Sequence, residues 1–330
     1  MRRREFITLL GGAAVPPVLW PLTARAQQPT RPVVGILRST SPDETTTFLG
    51  VFSEGLREAG YIDGQNAIVD LQLAGNAYDR LPALAANFAS RKVAVIVAAG
   101  AVNAALAAKA ATTTIPIVFI IGSDPVQHGL VKSLGRPGGN ITGVTFFGSA
   151  VMAKRVELLR ELIPQAAAIG FLVNPDNPNA VLEAKELEAI ATNAGFALHV
   201  VAAGGSSGLN NAFETLAQLR VDAFLHSTDV SFTSRYPALI ELAKSHKLPG
   251  IYGRRDVAVA GGLVSYGART ADVYRIAGIY TGRILKGEKP SDLPVQLPTT
   301  FELYLNMKTA RELGITVPTS ILLRADEVIE

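Results

Sequence analysis

Cysteine is absent from the whole 330-residue chain. Disulfides, thiol catalysis, thiolate metal sites and a lipid-anchored cysteine are therefore excluded together. Histidine is nearly as scarce, and the four present, His128, His199, His226 and His246, lack metal-ligand spacing. No phosphate loop, Gly-x-Gly-x-x-Gly turn or His-Glu-x-x-His helix occurs, so no cofactor and no metal are expected. A helix-turn-helix is missing too, which removes a DNA-binding repressor from consideration. The longest apolar stretch, residues 6–22, is short for a membrane span and is broken by Gly11-Gly12 and Pro16-Pro17.

That stretch reads instead as the middle of a bacterial signal peptide. It follows Met1-Arg2-Arg3-Arg4 and leads to Ala24-Arg25-Ala26, a small-x-small cleavage site, so cleavage is expected near Ala26. Arg3-Arg4-Glu5-Phe6-Ile7 fits twin-arginine export of a folded protein, with an ordinary Sec signal as the alternative. Residues 1–26 hold four of the 31 basic and one of the 28 acidic side chains, leaving 27 of each. The mature chain is formally neutral, and the net charge of +3 is no pointer to nucleic acid. A soluble periplasmic protein is expected, long enough at 48% apolar composition to divide into two domains.

What the chain does contain is a repeated alternation of short apolar runs with helical patterns. Strands are predicted at 33–37, 67–73, 93–97, 116–121, 141–145, 168–173, 197–201, 223–225 and 262–264. Helices are predicted at 46–59, 79–90, 102–111, 150–162, 178–194, 209–219 and 235–244. Several strands are continuous apolar runs, the pattern of a parallel sheet covered on both faces. The class is α/β, with two doubly wound parallel-sheet lobes. Residues 33–139 and 167–261 each supply about four strand-helix units without a residue-level repeat. The expected division is a signal at 1–26, a first lobe at 27–145 completed by about 268–298, and a second at 146–267 completed by about 299–330. Phe146-Phe147-Gly148 and the Pro-rich stretch 289–298 are the candidate crossings, and lobes joined in this way hinge.

In such sheets ligands bind outside the carboxyl ends of the strands. The first-lobe loops there are Arg38-Ser39-Thr40-Ser41, Ala98-Ala99-Gly100-Ala101-Val102-Asn103 and Gly122-Ser123-Asp124-Pro125. Free N–H groups at a helix start behind small side chains can seat a carboxylate or phosphate, although small residues there also serve close packing. Ser123 or Asp124 can cap a helix whose first turn holds Pro125, and a serine hydroxyl can also bind a ligand carboxylate. The second-lobe loops are Asn174-Pro175-Asp176-Asn177-Pro178, Ser227-Thr228-Asp229-Val230, Tyr252-Gly253-Arg254-Arg255-Asp256 and Ser265-Tyr266-Gly267. Asp229 can pair with a ligand ammonium or cap the next helix; Tyr252 and Tyr266 can stack on a ligand or fill the core.

Read in order, Gly122-Ser123-Asp124-Pro125-Val126-x-x-Gly129-Leu130-Val131, Pro137-Gly138-Gly139-Asn140-Ile141-Thr142-Gly143, Asn174-Pro175-x-Asn177-Pro178 and Tyr252-Gly253-Arg254-Arg255, continued by Gly261-Gly262-Leu263-Val264-Ser265-Tyr266-Gly267, form a recognisable series. The chain resembles the ABC-transporter substrate-binding proteins that include tryptophan- and tyrosine-binding members, over residues 32–326. The resemblance implies the type I periplasmic-binding-protein fold, with two lobes, three crossings and an enclosed ligand. It implies that first-lobe loops seat the ligand carboxylate and second-lobe loops meet its amine and side chain. Carried over by position, that suggests Asn103, Ser123 and the backbone near Ala101 on one side, with Asp229, Tyr252 and Tyr266 on the other; Ser39, Thr40 and Asp124, from the strand-end loops, complete the expected ligand residues. The first loop departs from the family pattern. Members often show His-Pro or a similar pair followed by an acidic residue; here the string is Ser41-Pro42-Asp43-Glu44, a departure that bears on specificity.

The resemblance further implies a small-molecule ligand, an ABC permease and ATPase complex as partner, and a monomer suited to delivery. Aromatic amino acids lead the ligand classes, then branched-chain amino acids and aromatic acids lacking the amine. A ligand sensor for a membrane signalling receptor uses the same fold and stays open. A serine hydrolase is the enzymatic alternative, because Gly204-Gly205-Ser206-Ser207-Gly208 matches Gly-x-Ser-x-Gly and is trailed by Asp222 or Asp229 and by His246. The non-enzymatic reading is preferred, since such a turn is equally a flexible loop with Ser207 as a cap.

Overall fold

The computed structural model describes residues 31–42, 45–146, 148–205 and 208–330. The expected signal segment, Asp43, Glu44, Phe147, Ser206 and Ser207 lie outside the described residues.

The first sheet is built from β1 (Val33–Arg38), β2 (Ile68–Leu73), β3 (Val95–Ala99), β4 (Ile117–Ile121) and β5 (Ile141–Thr145), all parallel in the order β2-β1-β3-β4-β5. The continuous apolar runs are explained by cover on both faces. Val34, Ile36, Val95, Val97, Val118 and Ile120 pack with Phe48, Phe52 and Tyr280, while Leu37, Ile96, Phe119 and Ile121 pack with Leu81, Phe88 and Ala105 on the other side. The first set meets α1 (Thr45–Glu58) and α10 (Thr270–Leu285); the second meets α2 (Leu81–Ser90) and α3 (Val102–Ala111).

The second sheet begins with β6 (Ala168–Val173), β7 (Ala197–Ala202) and β8 (Ala223–His226), parallel in the order β7-β6-β8. A bridge between Phe224 and Gly250 continues it into β9 (Ile251–Tyr252), β10 (Val264–Ala268), β11 (Phe301–Asn306) and β12 (Glu327–Ile329). β11 runs antiparallel to β10, an exception to the expected all-parallel arrangement. Around this sheet lie α4 (Gly148–Leu162), α5 (Asn179–Ala194), α6 (Gly208–Gln218), α7 (Val230–Thr233), α8 (Tyr236–Ser245), α9 (Arg255–Val259), α11 (Met307–Glu312) and α12 (Thr319–Arg324).

Two sequence expectations are corrected by local geometry. The helix expected from 79 starts at Leu81 behind a 3-10 turn, Tyr78–Arg80, with Pro82 in its first turn. The strand expected at 262–264 is β10, two residues later, because Gly261 has φ +113° and Gly262 N–H bonds back to the Val257 carbonyl, which makes this pair a turn.

Among the described residues the chain passes between the two sheets at 145–148, at 268–270 and at 296–301. Strand order reverses between β1 and β3 in one sheet and between β6 and β8 in the other. These are the two switch points, where loops part and leave a crevice. They face each other across the cleft, because Tyr78, from the loop after β2, reaches the Asp229 carboxylate in the loop after β8.

Candidate ligand site between the lobes

The facing loops enclose a cavity of about 130 Å³. A cavity of ~150 Å³ is enough to take a benzene ring, so the scale suits one ring-sized group with polar ends. From the first sheet its wall takes Arg38 at the end of β1, Thr40 after it and Gly100 after β3; Phe146 adds an aromatic edge from the crossing and Tyr274 another from α10. From the second sheet come Arg155 of α4, His226 to Asp229 after β8, Tyr236 of α8 and Arg254 after β9.

The lobes meet directly around this cavity. Gly122 abuts Thr228 so tightly that a Cβ on it would lie 2.0 Å from the threonine Cγ2. Asn76 Nδ2 donates to Ser234 Oγ at 3.2 Å, Asn103 Nδ2 to the Asp176 carbonyl at 3.3 Å, and His128 Nε2 lies 3.0 Å from Asn179 Oδ1. The buried charge in this seam is Asp229, 4% exposed. Its carboxylate caps α7 by accepting from Ser231 N–H at 2.7 Å. It also accepts from Asn174 Nδ2 at 3.3 Å and Asn177 Nδ2 at 2.5 Å. Tyr78 Oη completes the set at 3.0 and 3.1 Å from the two oxygens. Burial, and then the Asp229 charge, push the Tyr78 hydroxyl well above the usual tyrosine range, so it stays a donor.

Arg155 is a further buried charge, 8% exposed. Only its Nε has a protein partner, the Tyr266 carbonyl at 2.9 Å, and among the described residues it has no ion-pair partner. Burial holds its pKa below the usual arginine value. The guanidinium passes over Gly253, where a Cβ would come within 2.4 Å of Nη2. Glu183, behind Thr228, accepts that residue's N–H at 2.8 Å. Burial is the main cause that raises Glu183 to about 7, and burial followed by the charge of Arg155 lowers His226 to about 4. The neutral His226 donates Nδ1–H to the Ser227 carbonyl at 3.0 Å, which leaves Nε2 a buried acceptor without a partner. Ser227 Oγ and Ser123 Oγ are likewise buried and, among the described residues, unpartnered. Arg38 stacks over Phe48 at 4.2 Å and donates to Thr40 Oγ1 at 3.0 Å.

Of the residues expected from sequence, Thr40 and Asp229 line the cavity. Ser39 sits at the first switch point, its Oγ accepting Ala101 N–H at 2.8 Å, with Ala101 buried beside it. Asn103 bonds across the seam, and Asp124 caps its own turn through Val126 N–H at 2.7 Å. Tyr252 is 1% exposed, packed among Phe224, His226 and Tyr236 behind the wall. Tyr266 stacks on Phe301 at 6.1 Å and offers the site its carbonyl. Arg38, Arg155, His226 and Tyr274 were not singled out; Arg155 lies inside a helix whose arginines read as solvent-facing. Neither aspartate proposed for a hydrolase bonds His246: Asp222 accepts from Ala167 and Ala168 N–H, and Asp229 is held as above.

The ABC transporter substrate binding protein family matches residues 17–329. The chain belongs to that family. A tyrosine-binding protein from Clostridioides difficile is 30% identical over 264 residues, 80% of this chain and 75% of the relative. A Streptococcus pneumonia ABC domain in complex with L-Trp is 29% identical, covers 91% of this chain and all of its own, and has TM-score 0.83. A ligand-free, open substrate-binding protein with adhesive properties from Clostridium difficile is 27% identical over 91% of this chain and 99% of its own, with TM-score 0.65. This substrate-binding protein therefore overlays better on the ligand-bound relative than on the open one, in keeping with its seam of interlobe bonds.

Tyr78→Phe is expected to weaken the closed arrangement by about 1–3 kcal/mol, because Asp229 is left one donor short in a buried place. Small-angle scattering of the ligand-free protein should show a larger radius of gyration; an unchanged curve would contradict the seam. The two shifted titrations oppose each other. Protonated Glu183 is favoured in the folded state, so stability falls as pH rises from 4.5 to about 7. Neutral His226 is favoured in the folded state, so stability rises from about pH 4 to 6.5. Glu183→Gln should therefore expose a stability that increases with pH between about 4 and 6.5, whereas the parent stays flatter; parallel melting profiles would refute the assignment.

Proposed function

We propose that this chain is the exported substrate-binding component of an ABC importer, taking a small aromatic carboxylate between its lobes and presenting it to a permease and ATPase complex in the inner membrane. The observation that carries this reading is the Arg155 fork. A buried guanidinium without an ion pair is costly by several kcal/mol, and a ligand carboxylate is the partner whose planar geometry matches it. Phe146, Tyr236 and Tyr274 in the same wall support an aromatic body for the ligand. The tyrosine-binding relative and the L-Trp complex support it further.

Export to the periplasm rests on the signal pattern in residues 1–26 and on the family. The lobe division at 27–145 with 268–298, and 146–267 with 299–330, is supported by the strand membership of the two sheets. The cleft is read as a place of capture and release without turnover, and a monomer suits delivery. Closing then follows from the ligand, which bridges Arg155 on one lobe to the loops and rings of the other.

Calorimetric titration of the purified protein with a panel of aromatic carboxylates, neutral aromatics and sugars tests the reading. A single site near micromolar, about −8 kcal/mol, is expected for carboxylates alone. Arg155→Met should weaken it ~30-fold or more, and Arg155→Lys should restore only part, since lysine lacks the fork. Tight binding of a neutral ligand that survives Arg155→Met would overturn the proposal.

A further inference from the structure

One contact between the lobes sets bare backbone against a branched side chain. Gly122, directly after β4, faces Thr228, in the loop after β8. A Cβ on the glycine would lie 2.0 Å from Thr228 Cγ2 and 3.1 Å from Thr228 Cβ. Non-bonded carbon atoms settle at about 3.5–4.0 Å, so an alanine there needs Thr228 to withdraw by about 1.5 Å. The φ of Gly122 lies outside the left-handed region, so the backbone itself would accept an alanine. Room for the opposite lobe is what this glycine supplies. Gly148, in the crossing, adds to it: a Cβ there would come within 2.8 Å of Thr228 Oγ1.

Both sides of the contact are braced. Thr228 N–H is held by Glu183 at 2.8 Å, and the next residue is Asp229 with its four donors. A β-branched side chain on a fixed backbone has little freedom to turn aside. Opposite, the Gly122 carbonyl accepts Gly148 N–H at 2.9 Å, the Ile121 carbonyl accepts Phe146 N–H at 2.9 Å, and the Ser123 carbonyl accepts from Thr145 Oγ1 at 2.8 Å. Other parts of the seam are softer. Asn76, Asn103 and His128 cross it through side chains, which can follow a small shift by rotating. Gly122, Gly148 and Thr228 all line the cavity, so the separation at which the lobes stop is also the height of the space left for a ligand.

Resting on the reading of the cleft as a site for aromatic carboxylates, we infer that Thr228 against the bare backbone of Gly122 is the stop that ends closing, and that this pair limits the size of ring the cleft admits. A Cβ at position 122 moves the stop outward by about 1.5 Å. Such a shift is of a size to carry Tyr78 Oη, 3.0 and 3.1 Å from the Asp229 oxygens, out of hydrogen-bond range. The widened cleft loses contact with a small ring and gains room for a larger one. Removing Thr228 Cγ2 has the opposite effect.

Matched one-ring and two-ring acids test this: phenylacetate against naphthylacetate, and L-phenylalanine against L-naphthylalanine, titrated calorimetrically into the full-length mature protein. In whichever pair binds, Gly122→Ala is expected to shift the affinity ratio tenfold or more toward the two-ring member. Adding Thr228→Ser should bring the ratio back to within threefold of the parent, which a merely destabilising alanine would not allow. Thr228→Ser alone should move it threefold or more toward the one-ring member, and this arm stands even where Gly122→Ala does not fold. Ratios that stay at the parent value, or a shift that Thr228→Ser leaves in place, would sink the inference while the carboxylate reading survives. Failure of both pairs while another carboxylate of the wider panel binds would also count against the inference alone. Failure of the whole panel would overturn the two together. A crystal structure of Gly122→Ala gives a readout without ligand: Tyr78 Oη should stand beyond 3.5 Å from both Asp229 oxygens, and an intact bond would contradict the stop.

Discussion

A carboxylate buried at the end of β8 organises the cleft. Removed from water, Asp229 must be satisfied by fixed donors or be expelled, and four donors from three separate segments converge on it. That requirement explains several features at once. Asn174 and Asn177 stand in a loop stiffened by Pro175 and Pro178, so their amides are held in place instead of sampling solvent. The short α7 begins where the carboxylate takes its first N–H. Tyr78, at the start of a 3-10 turn in the other lobe, brings its hydroxyl across the seam to complete the shell. One charge thus couples the second lobe's switch point to the first lobe.

The buried guanidinium of Arg155 behaves in the opposite way. Arg155 has a single carbonyl partner and keeps its fork toward the cavity, with Glu183 too far to pair and itself pushed toward neutrality by burial. A strand-end glycine, Gly253, leaves the room for the guanidinium that any side chain would take. Among the described residues the site therefore holds a carboxylate, Asp229, whose needs are met by the protein, and a buried guanidinium, Arg155, without an ion pair. That guanidinium is what the proposed carboxylate ligand would pair, because leaving it uncorrected in a closed cleft is costly on the scale of the protein's own stability.

Much of this was legible in the chain and some was not. The β-α alternation gave nine strands and seven helices close to their true positions because both-face burial writes itself as continuous apolar runs, as in Val95–Ala99 and Ile117–Ile121. The last third was less readable. β9 is two residues long, β11 alternates only partly, and α10 carries arginines and glycines that dilute its apolar stripe, although it covers the first sheet beside α1. Among the candidate ligand residues, those in loops after strands were nameable because topology dictates where such loops lie. Arg155 was not, since a charged residue within an amphipathic helix is normally solvent-facing, and its inward turn depends on the bare backbone of Gly253 a hundred residues away. Tyr252 illustrates the reverse: a tyrosine in a motif at a strand end, whose ring the fold places in an aromatic cluster behind the wall.

Closure joins Asp229 and Arg155 in one equilibrium. Bringing the lobes together supplies Asp229 with its Tyr78 donor, a gain of the size of a charged hydrogen bond, about 1.5–3 kcal/mol. The same motion takes water from Arg155 without supplying an anion, a penalty of several kcal/mol. A ligand carboxylate removes the penalty and leaves the gain, and because it acts on the closed state alone, its whole contribution goes into shifting the population. A cation at the same place would add to the penalty, so on the proposed reading Arg155 makes closing conditional on the ligand's charge.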